Sequence, residues 1–122
     1  MYSILHVSFI VADTPRALAF YVDVLGLSVN HQRPDLGFPG AWLDCDGQQI
    51  HLLELANPDP VRGRPEHGGR DRHVAFAIAD LDAVSASLEK AGIDFTRSQS
   101  GRRALFCRDP DGNALEFIEM LA

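Results

Sequence analysis

Two stretches decide the fold: His6-Val7-Ser8-Phe9-Ile10-Val11-Ala12-Asp13 and His73-Val74-Ala75-Phe76-Ala77-Ile78-Ala79-Asp80, which match position for position. Self-similarity of this kind marks one supersecondary unit used twice. Strand alternation puts Leu5, Val7, Phe9 and Val11 on one face and Ile4, His6, Ser8 and Ile10 on the other. In the second copy Val74, Phe76 and Ile78 oppose His73, Ala75 and Ala77. The apolar face is suited to lie under a helix. The other starts with a histidine followed by small residues, which leaves room for something to bind.

Outward from each strand the pattern becomes helical and stops at a glycine. In the first copy Thr14 reads as the N-cap with Pro15 at the first helical position, Leu18, Val22 and Leu25 as the apolar stripe, and Gly26 as the stop. In the second, Asp80 is the cap, Val84, Leu88 and Ala91 the stripe, and Gly92 the stop. Strands are expected at 41–45, 48–55, 104–108 and 114–120. Weaker strand signals lie at 29–33 and after Ile93. Asp46-Gly47 and Asp111-Gly112 are turn dipeptides that join successive strands as hairpins. The expected organisation is one α+β domain, with module one about 1–56, a linker at 57–72 and module two at 73–122. The linker is rich in Pro, Gly and Arg and reads as a solvated connection.

Composition narrows the function classes. A chain of 122 residues, 46% apolar and 23% charged, can build an ordinary hydrophobic core. A net charge of -6 argues against nucleic-acid binding as the main activity. No apolar run is long enough to span a bilayer, and the start lacks the pattern of a signal peptide. The two cysteines, Cys45 and Cys107, are far apart and form neither a disulfide framework nor a zinc-finger pair. Reduced thiols and a cytoplasmic location are the economical expectation.

The repeat turns four scattered residues into a constellation. His6 and His73 occupy equivalent places at the head of each copy. Gly47-Gln48-Gln49-Ile50-His51 aligns with Gly112-Asn113-Ala114-Leu115-Glu116, so His51 and Glu116 are equivalent too. If the copies pack with approximate two-fold symmetry, the four side chains converge from four strands. Three imidazoles and one carboxylate suit one divalent ion of nickel, zinc, manganese, cobalt or iron better than calcium or magnesium. The bland alternatives are hydrogen-bonded strand histidines and a solvent-facing glutamate. His31 and His67 have no repeat partner and read as surface residues. Glu54 and Glu119 match across the repeat but fall on the helix-covered face, as exposed strand-end charges.

These paired modules, the histidine at the head of each, and Asp109-Pro110-Asp111-Gly112 leading into Leu115-Glu116 resemble the vicinal oxygen chelate superfamily of glyoxalases, bleomycin-resistance proteins and extradiol dioxygenases. The resemblance implies two tandem βαβββ modules forming an open, cupped mixed sheet, usually in a homodimer that binds a small-molecule substrate. It implies His6, His73 and Glu116 as metal ligands, with Glu116 also the catalytic proton shuttle. His51 departs from the pattern, falling where glyoxalases have Glu and epimerases often have Gln. Ile10 stands where glyoxalase I relatives tend to have a basic residue for glutathione. Arg72 and Arg103, with their neighbours Arg70 and Arg102, are candidates to contact an anionic substrate. Trp42 is a candidate to line the cavity, with core packing or a dimer contact as alternatives. The functions implied are a glyoxalase-like lyase or isomerase, an extradiol-type dioxygenase, or a non-catalytic antibiotic-binding protein.

Overall fold

The computed structural model describes residues 1–120; the last two residues of the expected second module, Leu121 and Ala122, lie outside the described residues. The chain divides into two compact units, Met1–Asp59 and the residues from Pro60 onward. In the first, β1 (His6–Val11) is followed by α1 (Thr14–Leu18), a π-helical turn (Ala19–Val24), β2 (Ser28–Asn30), β3 (Gly40–Cys45) and β4 (Gln48–Glu54). In the second, β5 (His73–Ile78) is followed by α2 (Leu81–Lys90), β6 (Phe95–Arg97), β7 (Ala104–Arg108) and β8 (Ala114–Glu119). Each unit is α+β, with one four-stranded mixed sheet that does not close on itself.

The sheets repeat in topology and in register. Their strand orders are β1-β4-β3-β2 and β5-β8-β7-β6, with the outer strand parallel to its neighbour and the rest antiparallel. His6 pairs with Gln49 as His73 pairs with Ala114, and Ser8 pairs with His51 as Ala75 pairs with Glu116. A one-residue slip would turn every ligand candidate to the opposite face. The helix-side faces carry fully buried Leu43 and Ile50 in the first sheet, and Leu105 and Leu115 in the second. Burial of each such side chain contributes about 2 kcal/mol, which pins the register.

The helix starts differ from the sequence expectation. Asp13, not Thr14, caps α1 and accepts a hydrogen bond from the Arg16 amide at 3.4 Å. Thr14 is already helical, and its amide donates to Glu54 Oε1 at 2.8 Å. Asp80 caps α2 as expected, and the Leu81 amide donates to Glu119 Oε2 at 2.9 Å. Glu54 and Glu119 are therefore not exposed strand-end charges. Each reaches from the last strand of its sheet to an orphan amide at the helix start, a favourable place for a carboxylate.

The first apolar stripe also shifts. Ala17, Phe20 and Tyr21 are buried, while Leu18, Val22 and Leu25 are half-buried, because the π-helical turn carries more residues per turn than a 3.6-residue pattern assumes. In α2 the buried set is Leu81, Ser85 and Leu88, with Ala91 exposed. Gly26 and Gly92 end the helices with positive φ, and Asp46-Gly47 forms a two-residue turn with both φ values positive.

Residues 60–72 are mostly exposed, as a solvated connection would be, and are also anchored as a strap on the second unit. Arg64 Nε and Nη2 donate to the Asp71 carboxylate at 2.7 and 2.8 Å, and Arg108 Nη1 donates to the same group at 2.8 Å. Arg108 Nη2 also donates to the Pro65 carbonyl at 2.6 Å. A short 3-10 turn, Gly68–Arg70, lies against Phe106, where a Cβ on Gly68 would come within 3.3 Å of the ring-bearing carbon.

Candidate metal centre

Each unit brings its own two ligand candidates together on the face opposite its helix. In the first unit His6 stacks on His51 with ring centroids 3.9 Å apart and planes 12° apart. Trp42, the cross-strand partner of His51, stacks on its other side at 4.4 Å and 6°. His51 is thus held between two rings. Burial pushes its pKa down, and His6 and Arg33 push it further the same way, so the neutral, ligating form is favoured.

In the second unit His73 Nε2 lies 3.2 Å from Glu116 Oε1. His73 Nδ1 lies 2.8 Å from the Asp71 carbonyl oxygen, which can only accept, so Nδ1 carries the hydrogen. The lone pair of a neutral His73 then faces a carboxylate oxygen. A proton or a cation must sit between them for the contact to be favourable. Glu116 is buried at 3% exposure, and its Oε2 accepts from Arg102 Nη2 at 3.3 Å.

The His73–Glu116 pair is spaced as two ligands of one divalent ion would be. With metal–ligand bonds of about 2.0–2.2 Å, two adjacent ligand atoms stand roughly 3.0–3.4 Å apart, and the His73–Glu116 separation falls in that range. The Asp71 carbonyl supplies the orienting bond that metal-bound histidines usually have. Among the described residues, no group of three or more His, Cys, Asp or Glu side chains is clustered as a metal set; the pairs stand as pairs.

The Asp-Pro-Asp-Gly segment delivers Glu116 to this position. Asp109 Oδ1 accepts from the Asp111 and Asn113 amides at 2.9 and 3.0 Å, and its Oδ2 accepts from Asn113 Nδ2 at 2.8 Å. Gly112 adopts φ +84°, and a Cβ there would come 2.9 Å from the Val61 carbonyl oxygen in the strap. That turn is tight because only glycine satisfies both conditions.

The other candidates divide. Trp42 is packed on His51. Arg103 is turned to the helix-covered side, where it pairs with Glu119 at 2.8 Å and Asp82 at 3.3 Å. Its neighbour Arg102 is the arginine that reaches Glu116. Arg72 is exposed next to His73. His67 is not a plain surface residue: it is half-buried, 2.8 Å from Thr96 Oγ1, with its ring edge-on to Phe106 at 4.8 Å. Phe106 also meets His73 at 5.2 Å. A cleft of about 580 Å³ lies nearby, where Glu66 and Gly68 face Thr96, Phe106 and Arg108. Gln49, which the repeat does not single out, touches His51 directly. Burial pushes the Cys107 thiol up to about 12, which removes it as a nucleophile at neutral pH.

The family model described as the Glyoxalase/Bleomycin resistance protein/Dioxygenase superfamily matches residues 3–117. The chain belongs to this superfamily. A protein named Glyoxylase I 4 from Arabidopsis thaliana is 33% identical over 119 residues, covering 93% of this chain and 68% of the relative. A lactoylglutathione lyase from Haemophilus influenzae is 32% identical over 124 residues, covering 95% and 91%. Among solved structures, a glyoxalase family protein from Bacillus anthracis superposes with a TM-score of 0.79 at 26% identity, over 98% of this chain and 95% of that one. The α+β architecture of two four-stranded mixed sheets is that of this superfamily. No helix among the described residues is long and apolar enough to cross a membrane.

Proposed function

We propose that this protein is a divalent-metal-dependent lyase or isomerase of the glyoxalase type, with His6, His51, His73 and Glu116 holding one ion. The observation that carries this reading is the buried Glu116 carboxylate facing a histidine whose other nitrogen is already committed to a carbonyl. A divalent ion bound there supplies Lewis acidity to a substrate with two neighbouring oxygens. Glu116 is the proton carrier: it takes a proton from the carbon beside a carbonyl and returns it to the neighbouring carbon. Arg102, bonded to Oε2, keeps the carboxylate oriented and partly neutralised while Oε1 works. Trp42 forms an apolar wall beside His51, and the substrate is a small molecule. The working unit is a homodimer in the cytoplasm.

Untagged protein should take up one nickel, cobalt, zinc, manganese or ferrous ion per chain after chelation and reloading. Loaded protein is then assayed with methylglyoxal–thiol adducts and with epimerisable acyl thioesters. Failure to retain any of these metals would overturn the reading. Oxygen uptake with catechols after ferrous loading, without isomerase activity under any metal, would replace it with the dioxygenase reading.

A further inference from the structure

Gln49 sits on the same face of β4 as His51, two residues before it, and directly across from His6 on β1. Its Oε1 lies 2.8 Å from His51 Nε2. If the carboxamide is reversed, its amide donates to that nitrogen instead, so Nε2 is engaged in either orientation. The second unit has no such group. Ala114 occupies the equivalent place opposite His73, and its methyl side chain can form no hydrogen bond. There His73 and Glu116 face one another directly. Identical register thus places a polar carboxamide beside one ligand pair and a methyl beside the other.

We propose that Gln49 is a latch on the metal site: its side chain occupies the His51 nitrogen that a metal needs, and loading requires that bond to break. This rests on the reading of His51 as a ligand. The imidazole of His51 is packed on both faces by His6 and Trp42, and Gln49 meets it at Nε2. Gln49 is accordingly a positioning residue that sets metal affinity and loading rate, not one that touches substrate.

The test is a cobalt(II) titration of chelated protein, read by visible absorption and by competition with a chelator. It compares wild type with Gln49→Leu, which keeps the size, and Gln49→Asn, which is too short to reach. Both variants should bind cobalt about tenfold more tightly, from the loss of one competing hydrogen bond, at unchanged stoichiometry. Imidazole nitrogen NMR of the metal-free protein should show a hydrogen-bonded His51 Nε2 in wild type and its loss in both variants. Equal or weaker cobalt binding in both variants would overturn the latch. His51→Ala separates the two ideas: if it loses cobalt while the Gln49 variants match wild type, the ligand reading stands and the latch falls. If wild type takes up no cobalt, both fall.

Discussion

Glu116 is 3% exposed, touched by Arg102 on one oxygen and His73 on the other. Such a carboxylate is costly to bury unless it is paired, and Arg102 and His73 are its partners. Glu116→Gln preserves size and one potential ligand oxygen but cannot carry a proton. Turnover should drop by roughly 10²–10⁴-fold while metal analysis still finds the ion. His51 gives a pH prediction with a definite sign. Its folded pKa is depressed, chiefly by burial, so between the folded and unfolded values the unfolded chain binds the proton more readily. The contribution is full above about pH 6.5 and is lost as pH falls through the folded value. The thermal midpoint of metal-free wild type should therefore fall more steeply between neutral and mildly acid pH than that of His51→Asn. At this scale the repeat and strand parity single out His6, His51, His73 and Glu116 as candidates, and the structure brings them together as two pairs, one in each unit. Gln49 shares the parity but has alanine as its counterpart, so no repeat signal marks it. Arg102 and Arg103 are adjacent in sequence, and only the path of the chain into β7 decides which one meets Glu116.

At the scale of elements, the strap depends on one carboxylate. Asp71 receives Arg64 and Arg108, and these bonds hold its carboxyl well below the usual carboxylate range. The Asp71 backbone carbonyl also fixes His73 Nδ1. Strap and His73 are thus coupled through one residue. Asp71→Asn should cost about 2 kcal/mol in urea unfolding, as a charge-assisted network loses its anion. Because the folded pKa is depressed, the carboxylate's contribution is present at neutral pH and is lost on acidification. Weakened metal retention in the same variant would follow from a less constrained His73. The sequence could not reveal this strap. Its Pro, Gly and Arg content is that of a solvated loop, and its partner Arg108 lies on β7, far along the chain. The stronger strand positions, by contrast, were legible almost to the residue, because alternation and turn dipeptides are local signals; the weakly signalled strand at 29–33 instead spans Ser28–Asn30. The π-helical turn was not, since a 3.6-residue template has no place for the extra residue.

At the scale of the whole molecule, the proposed centre draws two ligands from each of two units with separate sheets. If one ion needs all four, a lesion in either unit must disable the same site. His51→Ala and Glu116→Ala should each weaken metal binding by about 10²-fold or more, since ligand loss removes one strong bond of four. Two independent two-ligand sites would give a different result, with each variant keeping the binding capacity of its undamaged unit. The same reasoning extends to stability. Metal that binds only the folded state raises the midpoint by mass action, so saturating metal should shift the unfolding of both units in wild type and neither in the single variants. Mixing the two variants after unfolding and refolding then assigns the chain of origin. When each site lies within one chain, every chain in the mixture carries a lesion and binding stays lost. When sites form between chains, each mixed dimer pairs one undamaged first unit with one undamaged second unit. Metal uptake then returns, at one ion per mixed dimer, measured by titration against the unmixed variants.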